Sequence, residues 1–585
     1  MSEHNYWNRT RRNRLSRRTL LQASGRAGVG AAGLALVGCG DDDDDAPAAA
    51  AATQSAEDQA QAQAEQAEPE EQAAPAAGAT DTNATVRTLI GTLSGGLDPI
   101  RAMGPQTVMH FDKLGQYDPV TKEFVANAAT FEWVDDYTGA IVELKPGLVF
   151  HDGEPMTAED AKFSYDRYRG PDSLYGWMMG AVQPDGEITV EGERSIRLPL
   201  KTDASAFGLL GTEVRMQPKH IIEEIGQDAY HAGPGLVAGG PFRMESYVDG
   251  DRMVSHRFED YHTEGTGIRQ HKPYIKTMEH IVRPEPAARV AALLADEGDM
   301  TLSLGWDLAQ IFKDSDDFNV LMAQGTDNWN IVMNTERPAD DGTFPFRDIR
   351  VRRAVNHAVN FQAIIDSRGG HERRNIGIAA ENIGALTEKQ RAELMYEYDP
   401  EKARALMADA GYADGFRVPF WGYNSRFAGI AEGGQAIAQD LEAIGVRTDF
   451  QADEHAVFRP RLGAIGEDGI HEAAGFHHYF FNTFPDPAGN INAWIDKDGS
   501  ISHSKADPGS KIQSLVEATK APAAFDPEVR AKAINDLQVA ISDEAMFLFG
   551  IQQINIGVMR KNLEWKEFGN RQDEFNFWGI RPIIT

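Results

Sequence analysis

A single cysteine, Cys39, stands in a chain of 585 residues. No disulfide can form within it, so an exported fold would do without such staples. Beyond the N-terminal region, no stretch approaches the ~20 apolar residues that a membrane-spanning helix needs. The sequence has no His-Glu-x-x-His, no cysteine-based zinc spacing, no phosphate-binding glycine loop, no dinucleotide fingerprint and no nucleophile elbow. Those absences remove the common metallohydrolase, nucleotide-binding and serine-hydrolase classes, and we expect no catalytic residue, metal ligand or cofactor. Basic residues are in deficit, 57 against 89 acidic, a net charge of −32. That sign argues against nucleic acid and anionic membrane surfaces as partners. No repeat of fixed period is present.

What is present begins with an arginine-rich N-terminus that leads through Ser16, Arg17, Arg18 and Thr19 into a Gly/Ala-rich apolar stretch, residues 23–37. That stretch is too short to span a bilayer. A basic region, a short apolar core and small residues before a cleavage site make a signal peptide, here residues 1–38. Arg17 and Arg18 resemble a twin-arginine export signal. Leu36-Val37-Gly38-Cys39 resembles a lipobox, which implies a lipid on Cys39 and anchorage to the outer face of the cell membrane or in the periplasm. Residues 39–83 carry five consecutive aspartates and then mostly Ala, Gln, Glu and Pro. Such a composition buries too little apolar surface to offset ordering entropy, so it reads as a disordered acidic tether. Without residues 1–38 the chain holds 50 basic and 88 acidic residues, a net of −38.

The remaining body, roughly 500 residues, exceeds one hydrophobic core and requires two or three domains. Alternation predicts strands at 85–90 and 141–144. A helix is expected from Ala158 to Tyr168, with Thr157 and Asp160 as a capping box. Apolar positions 351, 354, 355, 358 and 359 predict one amphipathic helix from Arg350 to Ile365. Further helices are expected at 400–410 and 435–444. The elements are interspersed, as in a mixed α/β fold.

Residues 144–160, Leu-Lys-Pro-Gly-Leu-Val-Phe-His-Asp-Gly-Glu-Pro-Met-Thr-Ala-Glu-Asp, resemble the signature of the family 5 extracytoplasmic solute-binding proteins. Leu97-Asp98-Pro99, Gly239-Gly240-Pro241-Phe242, residues 346–358, Tyr398-Asp399-Pro400 and Pro485-Asp486-Pro487 follow that family's order. The resemblance implies an α/β, two-lobed periplasmic-binding-protein-like fold of the class II type, with a small inserted domain and a hinge. It places lobe I at 84–118, 232–330 and 545–585, the small domain at 119–231 and lobe III at 331–544. It also implies a monomer that carries a small-molecule solute to the permease subunits of an ABC importer. The signature itself is turn and cap chemistry, not a binding site.

The peptide binders of this family hold the ligand's ammonium with an aspartate four residues before a proline. Here the segment is Thr483-Phe484-Pro485-Asp486-Pro487, with Thr483 at that place. A hydroxyl does not neutralise a buried ammonium, so the expected ligand is non-peptidic, sugar or polyol-like. A peptide is the alternative, and an exported glycan hydrolase with two facing carboxylates is the rival class. A module serving a sensor kinase would look the same, and a nickel chelate is a further ligand class. Candidate ligand-binding residues are Ser94 and Gly95 in the first loop, Trp329 and Asn330, and His477, Tyr479, Asn482, Thr483 and Phe484. The last group supplies aromatic faces and hydrogen-bonding groups, the usual lining of a ligand pocket. Neighbours on a strand face opposite ways, so His477 and His478 do not readily share a metal ion.

Overall fold

This computed structural model describes residues 79–584, apart from 94–95, 103, 118–123, 135, 206–213, 234–235, 263–270, 379–382, 425–428, 455–456, 459–460, 463, 465–474, 483–486, 500–501, 503–509 and 567–576. Arg17, Arg18, Cys39 and the tether therefore lie outside the described residues. No helix within them is long and apolar enough to cross a membrane.

The alternation at the start of the body yields β1 (Thr85–Ile90), whose Val86, Thr88 and Ile90 are buried. A small hairpin follows, β2 (Gly115–Tyr117) and β3 (Phe124–Ala126). The next four strands are β4 (Ala129–Val134), β5 (Gly139–Leu144), β6 (Thr189–Val190) and β7 (Ser195–Pro199). They make a separate antiparallel sheet in the order β4-β5-β7-β6. The expected helix forms at Ala158–Arg169, where Thr157 donates to the Asp160 carboxylate from its backbone N–H at 3.0 Å and its hydroxyl at 2.7 Å. Its Ala161, Tyr165 and Tyr168 share a core with Val142, Ile196 and Leu198 of the sheet. From the same helix Arg167 forks onto the fully buried Asp98 at 2.6 and 3.1 Å. The Leu-Asp-Pro motif is thus a structural tie between the first loop and this sheet.

The remaining strands of the main sheet are β8 (Phe242–Val248), β9 (Arg252–Arg257), β10 (Thr277–Val282), β11 (Met300–Thr301), β12 (Phe318–Met333), β13 (Arg373–Arg374), β14 (Phe416–Tyr423), β15 (Val446–Asp453), β16 (Phe476–Asn482) and β17 (Phe547–Arg560). With β1 they form one eleven-stranded sheet, β15-β14-β16-β12-β17-β11-β1-β10-β9-β8, with β13 also bonded to β17. Two long strands make it continuous. β12 and β17 run antiparallel from Phe318↔Arg560 to Val332↔Phe547. One end lies among β11, β1 and β10, the other beside β16 and β14. A large core from Trp329 to Ile551 packs around the second end, and smaller clusters around Val86 and Leu89 pack around the first.

The helix expected over 350–365 is two helices, Ile349–Ala358 and Phe361–Ser367. Val359 is extended, and the Asn360 side chain accepts from the Ala363 N–H at 3.0 Å to cap the second helix. Apolar residues continue through the break because both helices pack into the same core, so the cap residue is the stronger signal of the boundary. The helices at Pro400–Asp409 and Ile430–Glu442 form as expected, the latter starting five residues earlier than predicted.

Candidate ligand-binding cleft

Strand direction places the cleft. β11 is antiparallel to β17, and β1 and β10 run parallel with β11 and with each other. β12 is also antiparallel to β17, so all four run towards the second end of the sheet. β16 is antiparallel to β12, and β14 and β15 run with β16 back towards the first end. The carboxyl ends of both parallel groups therefore converge on the middle of β12 and β17. In open α/β sheets, ligands bind outside the carboxyl ends of the strands.

The two long strands are irregular where these ends converge. Between the pairs Gln324↔Ile554 and Asn328↔Gln552, β12 holds three residues against one on β17. Before Asn330↔Phe549, β17 holds two against one. Bulges of this kind interrupt the ladder and re-aim side chains. The freed backbone groups are met by amides: Gln552 Nε2 donates to the Gly325 carbonyl at 2.7 Å, and Gln324 Nε2 donates to the Gln553 carbonyl at 3.1 Å. Arg373 Nε donates to Gln552 Oε1 at 2.6 Å. Asn375 Nδ2 donates to the Gly377 carbonyl at 3.1 Å and to Asn330 Oδ1 at 3.4 Å. Asp327, Asn328, Asn330, Asn375, Gln552, Gln553 and Asn555 are all buried here. Gln553 Oε1 has no hydrogen-bond partner among the described residues. A buried polar atom left so costs about 1–3 kcal/mol, which makes this bulge a costly place to keep amides for packing alone.

The residues expected at the site fall in different places. Trp329 is fully buried. Arg368 lies over its ring at 4.6 Å, and a Cβ at Gly433 would collide with that ring. Arg368 is itself forked onto the buried Glu372 at 2.6 and 2.8 Å. Asn330 is fully buried on the facing side, against Asn375. His477, Tyr479 and Asn482 stand on β16, opposite Val332, Asn330 and Asp327 of β12, with their side chains outside what is described. Asn482 thereby ends its strand at the bulge. Ser94, Gly95, Thr483 and Phe484 lie outside the described residues. Sequence reasoning passed over the amides of β12 and β17. Their signal was present, since the paired polar residues Asp327-Asn328 and Gln552-Gln553 stand between apolar stretches of their strands, 320–323 and 331–333 in β12 and 547–551 in β17.

Near the carboxyl ends of β14 and β15, Arg461 lies over the Trp421 ring at 3.7 Å and pairs with Asp453 at 2.5 Å. Across the sheet's middle, Trp306, which follows β11, meets the His371 ring edge-on at 4.1 Å. Gly369, with φ +107°, gives Trp306 its room, since a Cβ there would strike the indole. Among the described residues no group of three or more His, Cys, Asp or Glu is placed to hold a metal ion.

Comparison with known proteins agrees with this architecture. The sequence profile of the bacterial extracellular solute-binding proteins, family 5, matches residues 123–500. A Brucella ovis protein named as an ABC transporter peptide-binding protein is 28% identical over 348 residues, 55% of this chain and 61% of that protein. Heme-binding protein A of Haemophilus influenzae is 29% identical over 369 residues, 57% of this chain and 63% of that protein. The chain thus spans somewhat over three fifths of the length of these relatives. Among solved structures, the periplasmic binding protein DppA of Helicobacter pylori, in complex with the peptide STSA, superposes with TM-score 0.70 at 19% identity. That match covers 86% of this chain and 98% of the other. NikZ of Campylobacter jejuni, in complex with Ni(L-His), gives TM-score 0.68 at 16% identity, covering 85% and 99%. The fold is the two-lobed α/β fold of periplasmic binding proteins, and the chain belongs to the bacterial extracellular solute-binding proteins of family 5.

Proposed function

We propose that this chain is an extracytoplasmic solute-binding protein that holds a peptide or peptide-like solute between two lobes and delivers it to the permease of an ABC importer, with no catalytic step. The observation that carries the reading is the convergence of both sets of strand carboxyl ends on an amide-lined bulge, in a chain of this family. Lobe I then comprises about 84–118, 232–330 and 545–585, the inserted domain 119–231 and lobe III 331–544. The bulged strands β12 and β17 are the hinge, because strands with interrupted ladders bend there at least cost. A lipid on Cys39 and the acidic tether hold a monomeric body near the membrane, after export through the signal with Arg17 and Arg18.

The peptide reading replaces the sugar or polyol-like ligand expected from Thr483. The relatives are named for peptides, heme and glutathione, and solved relatives hold peptides. Buried amides, with donors and acceptors on one group, match the amide backbone of a peptide. The ammonium still needs an acid. We assign Asp327, 1% exposed on β12 and paired in register with Asn482, the residue before Thr483. Titration calorimetry tests the assignment. Asp327→Asn is expected to weaken unblocked tripeptides about a hundredfold or more, the scale of a lost buried ion pair, and N-acetylated tripeptides little. Equal loss for both, or loss for neither, contradicts the role of Asp327.

A further inference from the structure

We propose that Trp133, Tyr137 and Phe525 form a latch between the inserted sheet and lobe III that opens when the lobes part; the proposal rests on the two-lobed reading above. Trp133 stands on β4, and Tyr137 in the loop joining β4 to β5. Phe525 ends the short helical turn Pro522–Phe525 between the helices Lys511–Lys520 and Pro527–Asp543. Nearly four hundred residues of chain separate the two sides. Tyr137 stacks on Phe525 with ring centroids 3.9 Å apart and planes 8° apart. Trp133 meets the same Phe525 ring edge-on at 5.1 Å. The Ala204 N–H donates to the Lys520 carbonyl across the same contact at 3.0 Å.

Two features separate this contact from ordinary core packing. Ala204, Ala524 and Phe525 form a small buried cluster distinct from the large core around β12, and its one link to the core of the inserted sheet among these residues is Trp133, which packs against both. A contact of that size opens without unfolding either side. The loop that presents Tyr137 is also strained. Asp136 and Tyr137 both take left-handed backbone, φ 52° and 67°, a region that non-glycine residues occupy at a cost. Glycine would suit the turn better, so keeping a tyrosine there trades backbone ease for a ring that reaches Phe525. Together with Trp306 on His371, the closed form is held by aromatic contacts between the two halves at two places.

Hydrogen exchange with mass spectrometry, on the full chain and with no solute added, tests the latch. The Ala204 amide is the reporter, because its acceptor lies on the other side of the contact. Phe525→Ala is expected to speed exchange of the peptide containing Ala204 about tenfold or more, with β5, β7 and the helix Pro527–Asp543 unchanged. Tyr137→Phe keeps the ring and exchanges like the parent. Tyr137→Gly relieves the strained turn but removes the ring, so it speeds Ala204 exchange without lowering the melting temperature. Unchanged Ala204 exchange in both Phe525→Ala and Tyr137→Gly overturns the proposal. Acceleration spread equally over β5, β7 and 527–543 also overturns it, since that marks a static core contact. Because no solute takes part, a failure to bind peptides would leave this readout standing, and the two proposals fail separately.

Discussion

His280 sits fully buried on β10, edge-on to Phe577 at 5.2 Å, with neither ring nitrogen hydrogen-bonded among the described residues. Burial pushes its pKa down to about 3, and burial likewise brings His151 down to about 4. Both are neutral in the fold, whereas an unfolded histidine titrates near 6.5. The unfolded chain therefore binds more protons below that value. The stability these two rings permit is complete above about pH 6.5 and is lost as pH falls towards 4 for His151 and 3 for His280. Each contributes a slope of up to about 1.4 kcal/mol per pH unit within its window. Urea denaturation at pH 5 and pH 7 checks this: His280→Leu is expected to show a shallower loss on acidification, by about one proton's worth. An unchanged slope would mean that His280 is hydrated in solution. The burial of these histidines could not be read from the sequence. His151 lies in a turn-rich signature and His280 on a strand, and only the packing of chain segments remote in sequence removes water from either.

At the scale of elements, the sequence carried most of what formed. β1, β5 and the helices Ala158–Arg169 and Pro400–Asp409 each had alternation, a cap or a proline to mark them. The single helix expected over 350–365 is interrupted at Asn360, which the apolar period does not register. Its side chain caps the second helix, and its own N–H donates to Asp440 at 2.9 Å. Asn360→Ala is expected to cost about 1 kcal/mol, the usual loss for a helix cap. Chemical denaturation measures it, and a cost near zero would return the break to the extended Val359 alone. The bulges in β12 and β17 were out of reach for a different reason. A bulge is a mismatch between two strands, and its partner register lies more than two hundred residues away in the chain.

For the whole molecule, ordered motifs were enough to indicate the family and the two-lobed fold, because turn and cap chemistry recurs wherever the same scaffold is built. The ligand was less accessible. It is selected by side chains that two lobes bring together, and Thr483 pointed towards a sugar or polyol while the relatives point towards peptides. The acidic excess of the chain, a net −32 over all 585 residues, does not choose among neutral solutes. The most direct measurement is a calorimetric titration of the purified full chain with unblocked tripeptides of neutral side chains, beside cellobiose as the saccharide. The account predicts saturable peptide binding at about 1 µM or tighter, with no heat from cellobiose. Saturable binding of cellobiose with none of the tripeptides would contradict it.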